Sequence, residues 1–304
     1  VVLSSVPKLL TGAAGFIAIA YLALCLFLLL RQQRLMFFPT RTIEATPADL
    51  NLDYEDVWIP VSSDRQVERL HGWWLPAKGT ERGVVLHLHG NAYNVSANLG
   101  QAVQFHQLGF AVLMVDYRGY GRSEGKFPTE VRFYQDAEAA WCYLTQQRQI
   151  DPGCIWLFGH SLGGAIAIHL AAHHPEAAGL IVQSSFVSMR TMVSHLGCYS
   201  IFPIRLLLTQ QFASITKVRS LQLPVLYIHG SADPLIPYTM SQALFAATPD
   251  PKQFHLVEGA AHNDVAEIGD AAYLEVLQQF MLMPLGQARN LDIKKSELVG
   301  SSDV

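Results

Sequence analysis

The chain has 304 residues, half of them hydrophobic and 15% charged, with a formal net charge of −4. It is too apolar to stay disordered and lacks the basic surplus of a nucleic-acid binder, so no nucleic-acid partner is expected. Its length suits one large α/β domain or two small ones, and its positive mean hydropathy directs attention to a membrane segment.

From Leu9 to Leu30 no charged side chain occurs, and roughly 20 such residues are enough for a helix to cross the hydrocarbon core. We expect a transmembrane anchor over residues 9–30. A cleaved signal peptide is the competing reading, but the run is too long for one and passes straight into Arg31 without a small-residue cleavage site. A lipoprotein signal also fits poorly, because Cys25 sits in mid-run behind Leu24. Lys8 lies on one side of the span, and Arg31, Arg34 and Arg41 lie on the other. By the positive-inside rule the rest of the chain is cytoplasmic. Cys142, Cys154 and Cys198 show no spacing typical of a disulfide framework or metal site, and the Asn94-Val95-Ser96 sequon would matter only in a glycosylating lumen.

Residues 31–54 read as a linker, with Pro39 and Pro47 breaking any continuation of the helix. Asp56–Pro60 and Leu70–Pro76 follow as an antiparallel strand pair at a sheet edge. From Gly83 onward short apolar strands alternate with helices. The strands are Val84–His89, Phe110–Tyr117, Ile155–Phe158, Leu180–Gln183, Val225–His229 and Gln253–Val257. The helices are Ala92–Gln107, Val131–Gln147, Ser161–His174, Tyr238–Ala247 and Ala271–Met283. Continuous apolar strands alternating with helices imply a mostly parallel sheet covered on both faces. The expected fold class is α/β, a mostly parallel eight-stranded sheet with helices on both faces over residues 55–283. A short lid lies at about 186–220, and a polar, aperiodic tail, expected to be mobile, covers 284–304.

The chemistry centres on Gly159-His160-Ser161-Leu162-Gly163. A G-x-S-x-G pentapeptide between a strand and a helix is a nucleophile elbow, which lifts the serine Oγ above the sheet. The helix starting at Leu162 directs free N–H groups and its positive dipole end toward a developing oxyanion. A serine hydroxyl needs a base, and chain order places that base late, after the last strand. His262 stands there in Gly259-Ala260-Ala261-His262-Asn263-Asp264, whereas His255 lies inside a strand and His229 ends one. The base needs a carboxylate, and Asp233 follows the Val225–His229 strand. Asp264, two residues from His262, is the rival and is better placed to shape the turn. The second oxyanion donor belongs in His89-Gly90-Asn91-Ala92, with the Asn91 N–H the natural choice and Ala92 the alternative.

The HGNA turn, the Asp116–Gly125 loop (DYRGYGRSEG), GHSLGG, HGSADPLIP and GAAHND together resemble the Bem46-like branch of the α/β-hydrolase superfamily. That branch includes the membrane-tethered ABHD13- and ABHD17-type serine hydrolases. The resemblance covers about residues 55–283 and implies ester or thioester hydrolysis on acyl or lipid-like substrates. The cysteine-rich palmitoylated N-terminus of the ABHD17 type has no counterpart here.

Within the lid region, Phe186, Met189 and Tyr199 are candidate substrate contacts, since apolar side chains commonly line such pockets. His169, His173 and His174 lack the glutamate of a zinc motif, and Gly119, Gly121 and Gly125 lack the lysine of a phosphate loop. Arg118 and Arg122 could hold an acidic group or pair with Asp116 or Glu124. The expectation is a membrane-anchored serine hydrolase using Ser161, His262 and Asp233 on a small-molecule or lipid-like acyl ester. It requires no metal or organic cofactor, and its oligomeric state is left open. A peptidase or amidase on the same residues and a catalytically silent, membrane-tethered binding protein are the two alternatives.

Overall fold

A computed structural model describes residues 6–62, 66–79, 81–197 and 199–282. Cys198 and the 284–304 tail lie outside the described residues. The first element, helix α1 (Val6–Met36), runs through Arg31, so residues 31–36 are helical rather than part of the connection. Its Gly12–Met36 stretch has a mean hydropathy of 2.6 and is long and apolar enough to cross a membrane. Phe16, Ile17, Ile19 and Leu22 project from it almost unburied.

The chain leaves α1 by driving Phe37 into the core, edge-on to Phe133 at 5.1 Å and to Phe212 at 6.1 Å. Residues Phe38–Pro39 then form a short parallel bridge with Ala92–Tyr93. The connection is therefore fastened at both ends of this segment.

Eight strands build the main sheet: β1 (Glu55–Ser62), β2 (Val67–Leu75), β3 (Val84–Leu88), β4 (Ala111–Val115), β5 (Ile155–His160), β6 (Gly179–Gln183), β7 (Val225–Gly230) and β8 (Lys252–Val257). Their order is β8-β7-β6-β5-β3-β4-β2-β1. β1 and β2 are antiparallel to their neighbours, and the others pair in parallel. β1 alternates, with Val57, Ile59 and Val61 buried and the residues between them exposed, as befits an edge strand with one wet face. β3 to β7 are buried along their whole length, which is why they read as unbroken apolar runs.

Helices α3 (Glu130–Cys142), α4 (Leu162–His173) and α8 (Tyr238–Ala247) cover one face, where Val84, Leu86, Leu113 and Val182 point. Helices α2 (Leu99–Gln107) and α9 (Val265–Met281) cover the other over Val85, Val112, Met114 and Ile228. α4 is apolar all round and almost wholly buried, as expected of a helix enclosed by its neighbours. Between β6 and β7 lie three short helices, α5 (Met189–His195), α6 (Ile204–Leu207) and α7 (Ser214–Lys217).

Two expectations need correction. The segment from Ala92 starts extended, passes through a 3-10 turn at Val95–Asn98, and is α-helical only from Leu99. The Asn94 side chain takes the Ser96 N–H at 3.0 Å and donates to the Thr42 carbonyl at 2.6 Å, and an asparagine satisfied in this way competes with helix formation. Arg118 and Arg122 also find other partners. Arg118 Nε lies 2.5 Å from Asp136 and its Nη1 3.3 Å from Glu68, while Arg122 faces Asp56 at 3.4 Å. Glu124 pairs instead with Arg69.

Arg118, Asp136 and Glu68 are all buried. Removing the cation leaves two carboxylates without a counter-charge, so Arg118→Met should cost about 3–5 kcal/mol. Urea unfolding monitored by tryptophan fluorescence checks this, and a loss below about 1 kcal/mol would contradict it.

Candidate active site

β5 delivers Ser161 into a sharp turn at φ 55° and ψ −118°, and α4 begins at the next residue. A non-glycine residue at positive φ is strained by about 1–3 kcal/mol and persists only when its surroundings over-determine it. Here the Ser161 N–H is bound by the Gln183 carbonyl at 2.8 Å, and its own carbonyl accepts from Ser185 Oγ at 2.8 Å and from the Gly164 N–H at 3.0 Å. The turn also needs bare backbone on either side. A Cβ at Gly159 would overlap the Gly163 carbonyl, and one at Gly163 would overlap the Leu88 carbonyl at the end of β3.

His262 and Asp233 come together although 29 positions separate them, with His262 Nδ1 at 2.7 Å from Asp233 Oδ2. The ring donates this bond, which leaves Nε2 as the basic nitrogen. His229, at the end of β7, also reaches Asp233 Oδ2 at 3.1 Å while bonding the Ile236 carbonyl at 2.8 Å and Ser241 Oγ at 2.7 Å. Asp233 Oδ1 accepts the Leu235 and Ile236 N–H groups. Burial alone would raise the Asp233 pKa. The bonds from His229, His262 and Ile236 outweigh it and hold the carboxyl well below the usual carboxylate range, so it stays ionised. Asp264 takes the Ala261 N–H at 2.6 Å and shapes the turn.

His160, to which sequence reasoning assigned no role, is buried and held neutral with a pKa lowered to about 3, chiefly by burial and then by His262. Its Nε2–H donates to the His262 carbonyl at 3.1 Å, so the residue before the serine steadies the loop that carries the base. Only its place inside the pentapeptide hinted at this.

The loop after β3 supplies the other half of the site. His89 Nδ1–H donates to the Gly90 carbonyl at 2.8 Å. In a trans peptide the N–H points opposite the C=O, so fixing the Gly90 carbonyl aims the Asn91 N–H the other way. The Tyr120 hydroxyl holds the Asn91 carbonyl at 2.7 Å and that of Tyr117 holds the His89 carbonyl at 3.0 Å. Among the described residues neither the Leu162 nor the Asn91 N–H donates a hydrogen bond, and both residues line one cavity with Ser161 and His262.

That cavity is about 940 Å³. Phe186, Met189 and Tyr199 all line it, together with Met192, Leu196 and Leu207. Sequence reasoning did not anticipate its further wall, formed by Leu28, Gln32, Leu35 and Met36 of α1. No local pattern could have revealed that contact, because an apolar helix carries the same composition whichever face it buries. Among the described residues no group of three or more His, Cys, Asp or Glu side chains is placed to hold a metal ion.

Comparison with known proteins agrees with this fold. The serine aminopeptidase S33 family (Hydrolase_4) matches residues 79–214. The chain is 34% identical to uncharacterized protein Rv2307c of Mycobacterium tuberculosis, over 88% of this chain and 93% of that one. It is 30% identical to α/β hydrolase domain-containing protein WAV2 of Arabidopsis thaliana, over 91% and 94%. It is 36% identical to human α/β hydrolase domain-containing protein 17B, over 66% and 67%. Among solved structures, the esterase Pf2001 of Pyrococcus furiosus superposes with a TM-score of 0.65 at 22% identity, covering 81% of this chain and 96% of that one.

Asp116 sits beneath the Asn91 loop, wholly buried, with Oδ1 accepting the Val95 N–H at 2.9 Å and lying 3.5 Å from His89 Nε2. Burial raises its pKa from 3.8 to about 7, against the pull of that N–H and of Arg41 and Arg122. Between those two values the folded protein holds a proton that the unfolded chain has released, so this group's contribution to stability falls as pH rises across the window. Asp116→Asn should remove that part of the decline. Urea midpoints measured from about pH 4 to 8 should give a flatter profile for the variant, and superimposable profiles would refute the assignment.

Proposed function

The chain belongs to the α/β-hydrolase domain-containing family, in its 17-type branch, and from that footing we propose that it is a membrane-anchored serine hydrolase of carboxylic esters or thioesters. One observation carries the reading. The His262–Asp233 pair at 2.7 Å adjoins a cavity that Ser161 shares with two undonated N–H groups.

In this mechanism His262 Nε2 takes the Ser161 Oγ proton as the oxygen attacks the acyl carbon. The ionised Asp233 stabilises the imidazolium and keeps its tautomer. The Leu162 and Asn91 N–H groups bind the tetrahedral oxyanion. His262 then protonates the departing alcohol or thiol, and the acyl group remains on Ser161. Water, deprotonated by the same nitrogen, releases the acid.

Substrate class follows from the walls, which are apolar on the lid side through Phe186, Met189 and Met192. Glu267 is the one carboxylate among the described lining residues. It favours a second reading, an aminopeptidase in which that carboxylate receives the substrate amine. Hydrolysis of amino-acid anilides in preference to acyl esters would select the second reading over the first.

On this reading helix α1 serves as the anchor, and the excess of Arg31, Arg34 and Arg41 over Lys8 supports a cytoplasmic catalytic domain. A C-terminal reporter active only on the cytoplasmic side tests this orientation, and activity only on the opposite side would reverse it.

A fluorophosphonate probe should label the protein, and Ser161→Ala should abolish the label. Asp233→Asn should lower kcat for an activated ester by about a hundredfold or more, since the base loses the group that sets its tautomer. Persistent labelling of Ser161→Ala would end the serine-hydrolase reading.

A further inference from the structure

Helix α1 does more in this fold than hold the chain at a surface. Leu28, Gln32, Leu35 and Met36 are spaced i, i+4, i+7 and i+8, which puts them on one helical face, and that face closes the cavity containing Ser161 and His262. The helix is bolted in place there. Gln32 Nε2 donates to the Leu207 carbonyl at 3.0 Å, and Gln32 Oε1 accepts the Thr209 N–H at 2.8 Å. Asn91, the residue proposed to bind the oxyanion, donates from Nδ2 to the carbonyl of Met36 at 2.6 Å. Higher on the helix, the Tyr21 hydroxyl donates to the Ile201 carbonyl at 2.9 Å, and its ring stacks on Phe202.

Opposite this face stand Met189, Met192, Leu196 and Leu207. Leu196, Ile201 and Leu206 extend the apolar surface outward and are largely exposed, at 60%, 70% and 81%. From Leu28 to Met36 the helix rises about 12 Å. The result is a cavity that Ser161 shares with this face of α1 and with the apolar side chains of the segment after β6.

Resting on the ester or thioester hydrolase reading, we infer that a long acyl chain of the substrate lies along α1, against Leu28, Gln32 and Leu35. The N-terminal helix is then a specificity-determining wall of the site. The occupant follows from the position of Ser161, because whatever fills the cavity has its carbonyl at that oxygen. An unbranched acyl chain matches an apolar wall of this length, and each methylene buried there is worth about fourfold in binding.

The test uses the full chain in lipid nanodiscs, with p-nitrophenyl butyrate and p-nitrophenyl laurate as probes. The unaltered protein should favour laurate. Leu28→Trp and Leu35→Trp, which fill this side of the cavity, should each lower the laurate-to-butyrate ratio of kcat/KM about fifteenfold, the loss expected from displacing two methylenes. Ile19→Trp, on an exposed part of the same helix, should leave the ratio as it was. An unchanged ratio in both cavity variants overturns the inference.

A second readout does not depend on turnover. A diazirine-bearing palmitate irradiated with the Ser161→Ala protein should crosslink to the segment from Leu28 to Met36. Crosslinks confined to residues 186–220, or none at all, overturn the inference. If the unaltered protein cleaves neither ester, the hydrolase reading fails, and the crosslinking result alone decides whether the cavity takes an acyl chain.

Discussion

Backbone pressed directly on backbone is the constraint around which this site is arranged. At Gly163 the first turn of α4 meets the end of β3 so closely that no side-chain atom fits between them. The contact brings the start of a helix, with its free N–H groups, beside the loop that carries Asn91. It also forces Ser161 into a left-handed conformation that an unsupported serine would leave. Bonds from Gln183, Ser185 and Gly164 hold it there. The proposed nucleophile and the Leu162 N–H are therefore positioned by one close backbone contact, beside the loop that carries Asn91.

Around that contact the polar groups form a second layer with few degrees of freedom. His89, Tyr117 and Tyr120 each fix a carbonyl of the loop after β3. Asp116 lies beneath them, and burial raises its pKa to about 7, so it holds its proton through the acid range in which a carboxyl in water has lost it. Arg118 ties the following loop to α3 through Asp136 and to β2 through Glu68. On the opposite side, Asp233 keeps its charge because donors surround it. Two buried aspartates are thus shifted in opposite directions, Asp116 meeting one N–H donor and Asp233 four.

Much of this was legible in the chain. Strands buried on both faces announce themselves as apolar runs, and β3 to β7 did so. The elbow was visible because its glycines are required at fixed offsets from the serine. Asp233 and His262 could be singled out because each follows a strand at the edge of the sheet where such loops gather, although their 2.7 Å contact needed the fold. What stayed hidden depended on partners distant in sequence. Asp136 and Glu68 lie 18 and 50 positions from Arg118, and nothing local distinguishes them from Asp116 or Glu124. The segment 92–98 carries helix-compatible residues but starts extended, and Asn94, bonded back to Thr42, caps a 3-10 turn ahead of α2. Gln32 looked like the start of a loose linker, and its contacts are 175 and 177 residues away.

The attachment of α1 has a practical and evolutionary consequence. Asn91 reaches the last carbonyl of that helix, and Phe37 just beyond it is packed among core aromatics. Trimming the apolar N-terminus to obtain a water-soluble fragment would strip one side from the pocket and release the loop beside the serine. Such a fragment would be a different catalyst, and its substrate range would not report that of the parent. On the reading proposed above, a lineage that exchanged this helix for a lipidated tail would change the tether and one wall of the pocket at the same step.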